Sequence, residues 1–253
     1  LLDKPAVARS LAWIGKVSSV GRRALRKLPE GLQFDRWYRA VEQLPQPWDT
    51  LALFEREAPL EVELGSGKGL FMSTASVARP DTNFLGLEVA IKYAQHSAAR
   101  LARLNVGNAV MVGGDGLRVF REFLPTERVS AVHVYFPDPW WKKRHRKRRV
   151  VNELFLRDAM RVLVPGGALH LWTDVEEYFQ SSLELFSQTP FIGPIPVPEH
   201  TPEHDLDYRT HFERRKRQDG LPIYRSEFRK PEGEIVWPKL PDPPAETAAS
   251  DAS

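Results

Sequence analysis

The chain has 253 residues, 42% hydrophobic and 27% charged, an ordinary balance for a globular protein with one substantial core. It has no cysteine, which excludes a disulfide framework, a thiolate nucleophile and a cysteine zinc site, and no apolar run approaches the roughly 18 residues of a membrane span. Net charge is only +3, but seven Lys/Arg fall within residues 142–149, and removing those seven leaves the rest of the chain at −4. So focused a positive field points to an anionic partner that meets one patch.

Residues 1–50 read as a basic N-terminal extension, partly helical, with the charged run SSVGRRALRKLPEG; a loosely ordered arm and a substrate-contacting one are both open. Its start, LLDKPAVARSLAWIGKVSS, is too interrupted by charge and proline to read as a signal peptide, and a reducing, cytoplasmic setting is expected. From residue 60 strands and helices alternate. LEVEL (60–64), NFLGLEV (83–89), AVMVGGD (109–115), VSAVHVYFP (129–137) and ALHLWTD (168–174) are strand candidates. Between them AIKYAQHSAARLARL (90–104) and NELFLRDAMRVLVPGG (152–167) are helix candidates, the second closed by a Pro-Gly-Gly turn. This rhythm implies an α/β domain over residues 51–237, built on a parallel, doubly wound sheet. After residue 188 come a Pro-rich loop, a basic helix or turn and a further strand candidate, LPIYRSEFR; residues 238–253 are Pro/Ala/Ser-rich and read as a disordered tail.

The end of each of the first four strands carries an acid: Glu63, Glu88, Asp115 and Asp138, separated by 25, 27 and 23 residues. Ligands of such sheets bind at the carboxyl edge, near the switch in strand order. Helix caps account for one or two of these acids. Four in series place carboxylates along one crevice, an expensive arrangement without a ligand. The first strand runs into ELGSGKG, where Gly65, Gly67 and Gly69 let the backbone turn and approach a ligand. The dinucleotide fingerprint G-x-G-x-x-G is not met, and Lys68 is followed by Gly69 rather than the Ser/Thr of a P-loop. Glu63 precedes these glycines, where a carboxylate would repel a pyrophosphate and attract a cation. S-adenosylmethionine has a cationic centre, an amino group and free ribose hydroxyls. Glu88 is placed for the hydroxyls, Asp115 for the adenine amino group and Glu63 for the amino-acid end. Because nicotinamide enzymes also place an acid at the Glu88 position, Glu88 alone does not separate the two cofactors.

The fourth strand ends in FPDPWWKKRHRKRRV. Two prolines stiffen the backbone around Asp138, Trp140 or Trp141 offers a ring for a planar base, and Lys143, Arg144, Arg146, Lys147, Arg148 and Arg149 are expected to contact phosphates, which supply most nucleic-acid affinity. A solvated helix N-terminus is the alternative for the basic run alone. Together, acid, ring and phosphate clamp describe a nucleobase held by its polyanionic chain.

In this order, LEVELGSGKG, LGLEV, FPDPWWKKRHRKRR, LWTDVEEYF and RTHFERR resemble the bacterial-type tRNA (guanine-N7-)-methyltransferase family over roughly residues 60–228. The resemblance implies a Rossmann-like doubly wound α/β sheet of the class I S-adenosylmethionine-dependent methyltransferase type, with tRNA as partner and a variable-loop guanine as target. It implies cofactor binding by Glu63, Glu88, Asp115 and Asp138, catalysis by Asp138, and substrate binding by Lys142, Asp174, Thr210, His211, Phe212 and Glu213. Two features depart from the family: VPEHTPEHDLDY is long, and His211 stands where a Lys is common, which weakens the case for a phosphate contact there. Guanine N7 carries a lone pair and no proton, so its attack needs alignment rather than a base. Asp138 or Asp174, accepting from guanine N1–H and N2–H₂, would bind more strongly as the purine gains charge. A nicotinamide-dependent oxidoreductase and a non-catalytic RNA-binding protein on the same fold are the rival readings. No metal site is expected, since the seven His show no ligand spacing.

Overall fold

The structure is a computed structural model that describes residues 31, 33–198 and 210–237. Strands β1 (Tyr38–Ala40), β2 (Leu60–Leu64), β3 (Asn83–Glu88), β4 (Ala109–Gly113), β5 (Val129–Tyr135), β6 (Leu163–Thr173), β7 (Ile192–Pro196) and β8 (Tyr224–Arg229) form one sheet in the order β1-β4-β3-β2-β5-β6-β8-β7. The helices are α1 (Thr50–Phe54), α2 (Leu70–Ala78), α3 (Ile91–Leu104), α4 (Gly116–Arg118), α5 (Glu153–Val162), α6 (Glu176–Phe186) and α7 (His211–Gln218). Strands β2, β3 and β4 are buried throughout, as expected of parallel strands covered on both faces.

Alternation within each strand divides the core. Leu60, Val62 and Leu64 join Leu85, Leu87, Val110, Val112, Val132, Val134, Leu169 and Leu171 on one face, under Phe155, Leu156, Ala159 and Met160 of α5 and Tyr178 and Phe186 of α6. On the other face Phe84, Met111, Tyr135 and Trp172 pack with Phe71 and Met72 of α2 and Ala98 and Leu101 of α3. α3 is amphipathic, with Ala94, Ala98 and Leu101 inward and Lys92 and Arg103 outward.

Three expectations are corrected. The five expected strands β2–β6 are parallel, but the stretch expected to be a Pro-rich loop contains strand β7, and β8 pairs antiparallel with both β6 and β7, so the sheet is mixed. The boundary at residue 50 falls inside the folded unit, because β1 pairs with β4 and Val41 and Leu44 are buried in the core. The remainder of the extension, residues 1–30 and 32, and the tail 238–253 lie outside the described residues. Finally, α5 stops at Val162, and Val164-Pro165-Gly166-Gly167 is an irregular part of β6 rather than a helix-closing turn. Pro165 disfavours a helical Val164, and Gly166 takes φ +74°, a conformation open to glycine.

Candidate active site

Strand order reverses at β2, with β3 and β4 on one side and β5 and β6 on the other. Because these five strands are parallel, their carboxyl ends share one edge. Along it the acids follow the spatial order Asp115, Glu88, Glu63, Asp138, Asp174, crossing from β4 to β6 in inter-strand steps of about 4.8 Å. The sheet thus brings the four predicted acids, and Asp174, to one edge that spans the switch point.

The glycine turn after β2 is held by the neighbouring strand. Gly65 and Ser66 donate to the Leu87 carbonyl at 2.8 and 3.0 Å. Glu88 accepts the Gly67 amide at 2.8 Å through Oε2 and the Ala90 amide at 2.9 Å through Oε1. Gly65, Gly67 and Gly69 all have positive φ. A Cβ at Gly69 would lie 2.7 Å from Ser97, whereas one at Gly65 or Gly67 would meet nothing within 4 Å. The first constraint is packing; the other two glycines leave an open cradle.

Glu63 faces that cradle as a buried acid, 3% exposed, and its Oε2 has no hydrogen-bond partner. Burial pushes its pKa up to about 8, a hydrogen bond with Ser66 pulls it down, and the nearby Glu88 carboxylate raises it further. An acid held this way favours a cationic ligand or a hydrogen-bond donor. Its strand neighbour Glu61 shows the opposite solution. Burial raises its pKa, but hydrogen bonds and charge from His133 (2.8 Å) and Arg79 (2.5 Å) outweigh this and bring it down to about 2. His133 Nδ1 pairs with the Tyr135 hydroxyl at 2.9 Å, and the His133 ring stacks on His170. The sequence reading missed this network. Its signal was an acid alternating with Leu60 and Val62 in a strand with two buried faces, where a charge requires a partner.

Asp115 is the N-cap of α4, accepting the Leu117 and Arg118 amides at 3.0 and 3.4 Å through Oδ1; Oδ2 makes no hydrogen bond among the described residues. Asp138 is exposed between Pro137 and Pro139. Phe136 and Trp140, on either side of this tripeptide, adopt φ +50° and +47°. Left-handed backbone at two aromatic residues costs about 1–3 kcal/mol each and persists only where the surrounding structure imposes it. The Phe136 amide is tied to the Trp172 carbonyl of β6 at 2.7 Å.

The two tryptophans part company. Trp140 carries Arg148 over its face, with the guanidinium carbon 5.1 Å from the ring centre, and meets His145 edge-on. Trp141 is 63% exposed. In the basic run, Lys143–Arg148 winds as 3-10 helix with Lys143, Arg144, Lys147 and Arg148 exposed. Arg149 corrects the expected set of phosphate contacts. Its buried guanidinium pairs with Glu177 at 2.6 Å, donates to the Pro139 carbonyl at 2.9 Å and to Ser181 at 3.0 Å, and lies over Tyr178. Glu177 also pairs with Arg146 at 3.1 Å, and the Arg149 hydrogen bond leads the causes holding its pKa low. Arg149 therefore clamps the Pro-Asp-Pro turn to α6.

At the far end of the row, Asp174 pairs with Lys216 of α7 at 2.8 Å. Thr210 is the N-cap of α7, accepting the Glu213 amide at 3.0 Å, and buried Glu213 pairs with Arg217 at 3.0 Å. Thr210 and Glu213 thus organise the helix that Asp174 anchors. The side chains of His211 and Phe212, and most of the VPEHTPEHDLDY segment, lie outside the described residues.

A family model described as "Putative methyltransferase" matches residues 57–226. The tRNA (guanine-N(7)-)-methyltransferase of Rhodopirellula baltica is 47% identical over 216 residues, covering 83% of this chain and 80% of its own. That of Bordetella pertussis is 34% identical over 231 residues, covering 90% and 88%. Among solved structures, the antibiotic-resistance methyltransferase Kmr has a TM-score of 0.47 at 15% identity, over 70% of this chain and 89% of that one. By these sequence relationships, the chain belongs to the tRNA (guanine-N(7)-)-methyltransferase family.

Proposed function

We propose that this protein transfers a methyl group from S-adenosylmethionine to N7 of a guanine in the variable loop of tRNA, in the cytoplasm. The observation that carries the reading is the row of acids across the switch point, with a stiffened acid at the end of β5 and exposed cations directly after it. The site residues fit the cofactor through the open cradle at Gly65 and Gly67 and through the orphaned, buried oxygen of Glu63. Glu88 would hold the ribose hydroxyls while fixing the glycine turn, Asp115 would accept from the adenine amino group, and Glu63 would meet the cationic amino-acid end. When bound, S-adenosylmethionine supplies an electrophilic methyl group. A nicotinamide cofactor fits less well, since its pyrophosphate would face Glu63.

The chain's remaining task is to orient guanine. Asp138 is exposed, is mounted between two prolines and directly precedes the basic run, so Asp138 is assigned as the acceptor for guanine N1–H and N2–H₂, while Asp174 pairs with Lys216 of α7. Its carboxylate binds more strongly as the purine becomes cationic, which stabilises the transition state over the ground state. Adenine lacks that pair of donors. Asp174 positions α7, exposed Trp141 offers a stacking surface, and Lys142, Lys143, Arg144, Lys147 and Arg148 hold phosphates. The test is methyl transfer from labelled S-adenosylmethionine to unmodified tRNA transcripts, followed by borohydride and aniline cleavage. Cleavage only at the variable-loop guanine, lost when adenine replaces it, is expected; label at another position would move the target, and absence of label would refute the activity.

A further inference from the structure

A second basic surface lies outside the 142–149 run. His96, Arg100 and Arg103 are spaced i, i+4, i+7, so they share one side of α3. Lys68, from the glycine turn, reaches over the Tyr93 ring at 5.9 Å near the start of the same helix. Arg214 of α7 stands close enough to Arg100 for its charge to be felt there. Burial, then Arg103 and Arg214, lower the Arg100 pKa; burial, then Arg100, Lys68 and Arg103, lower that of His96. Among the described residues no carboxylate pairs with Arg100 or Arg103, and His96 Nδ1 is buried without a hydrogen-bond partner. By contrast, Arg118 pairs with Glu42 and Glu122, and Arg157 with Glu153.

A purely solubilising cation would extend into water. Arg100 is instead half-buried among like charges, an arrangement that an anion relieves. The strip starts beside the cofactor cradle and ends on α7, which Lys216 ties to Asp174. The basic run at residues 143–148 follows β5, on the opposite side of β2 from β3 and α3. The acidic row lies between the two surfaces and repels phosphate, so a polyanion that places one base in the crevice must run its backbone along the flanks.

We propose that Arg100 and Arg103 of α3, with Arg214 of α7, form a second phosphate-binding surface that holds the RNA backbone flanking the target nucleotide. The identification of the polyanion as RNA rests on the function proposed above. The test is binding of an unmodified tRNA transcript to full-length protein across a salt series, comparing wild type with Arg100→Gln/Arg103→Gln and with Arg103→Gln alone. The single variant alters an exposed side chain and guards against a folding defect in the double. The double variant is expected to bind about tenfold more weakly, with its log–log salt slope reduced by about 2, and the single variant with a slope reduced by about 1. S-adenosylmethionine affinity is expected to stay at the wild-type value. Unchanged slopes in both variants would overturn the proposal. Wild-type protein that binds tRNA without methylating it, while the variants still lose slope, would refute the enzymatic reading and support this surface; wild-type protein that does not bind tRNA would overturn both.

Discussion

The Glu88 carboxylate accepts the Gly67 amide at 2.8 Å, so the acid ending β3 fixes the turn that follows β2. Because the second oxygen accepts the Ala90 amide, one side chain couples the cradle to the start of α3. Glu88→Ala removes both charge-assisted bonds and the proposed ribose contact. Calorimetry is expected to show S-adenosylmethionine binding weakened at least about tenfold, the loss of one such hydrogen bond at 1.5–3 kcal/mol.

Glu63 makes cofactor binding and stability depend on pH in opposite senses. Its folded pKa of about 8 exceeds the ordinary 4.5, so the folded protein holds a proton that the unfolded chain releases. Its contribution therefore grows more destabilising as pH rises from about 4.5 to 8 and then levels off. Glu63→Gln is expected to raise Tm at pH 8.5 by on the order of 5 °C and to leave it unchanged near pH 4.5. At pH 7, binding of cationic S-adenosylmethionine should release a proton from Glu63 in wild type and none in the variant, measured by calorimetry in buffers of different ionisation enthalpy. Equal proton release in both would show that Glu63 does not meet the cation.

Arg149 and its neighbours separate structure from RNA binding within one sequence run. Arg149→Gln breaks the bonds to Glu177, Ser181 and Pro139 and is expected to cost about 2 kcal/mol of stability, read by urea unfolding. Lys147→Gln and Arg144→Gln are expected to leave Tm unchanged while each lowers the tRNA salt slope by about 1.

Asp138 and Asp174 are distinguished by kinetics. Asp138→Asn is expected to lower kcat about 10²-fold, the scale of losing one group aimed at transition-state charge. Asp174→Asn frees α7 from Lys216 and is expected to act mainly through a raised KM for tRNA. Near-normal turnover by the Asp138 variant, with unchanged cofactor affinity, would refute its assigned role.

Much of this site was legible in the sequence because parallel strands bring sequentially periodic residues to one edge. Four acids at strand ends needed only the alternation of strands and helices to become neighbours. The roles within FPDPWWKKRHRKRR were less legible, since composition does not tell an exposed arginine from a buried one. Arg149 differs from Arg148 only by facing Glu177 and Tyr178, residues nearly 30 positions away. The Lys216–Asp174 pair, the His133–Glu61 network and the α3 strip depend on the same kind of distant contact. β1 was missed because three residues paired with β4 carry too short a pattern to register as a strand.

The central claim is that guanine N7 is the methyl acceptor, presented by the carboxyl edge of the sheet. The most direct test replaces the variable-loop guanine with 7-deazaguanine, which keeps N1–H and N2–H₂ and has carbon in place of N7. The account expects this transcript to bind with wild-type affinity and to accept no methyl group. Methyl transfer to it at the rate of the unmodified transcript would contradict the claim.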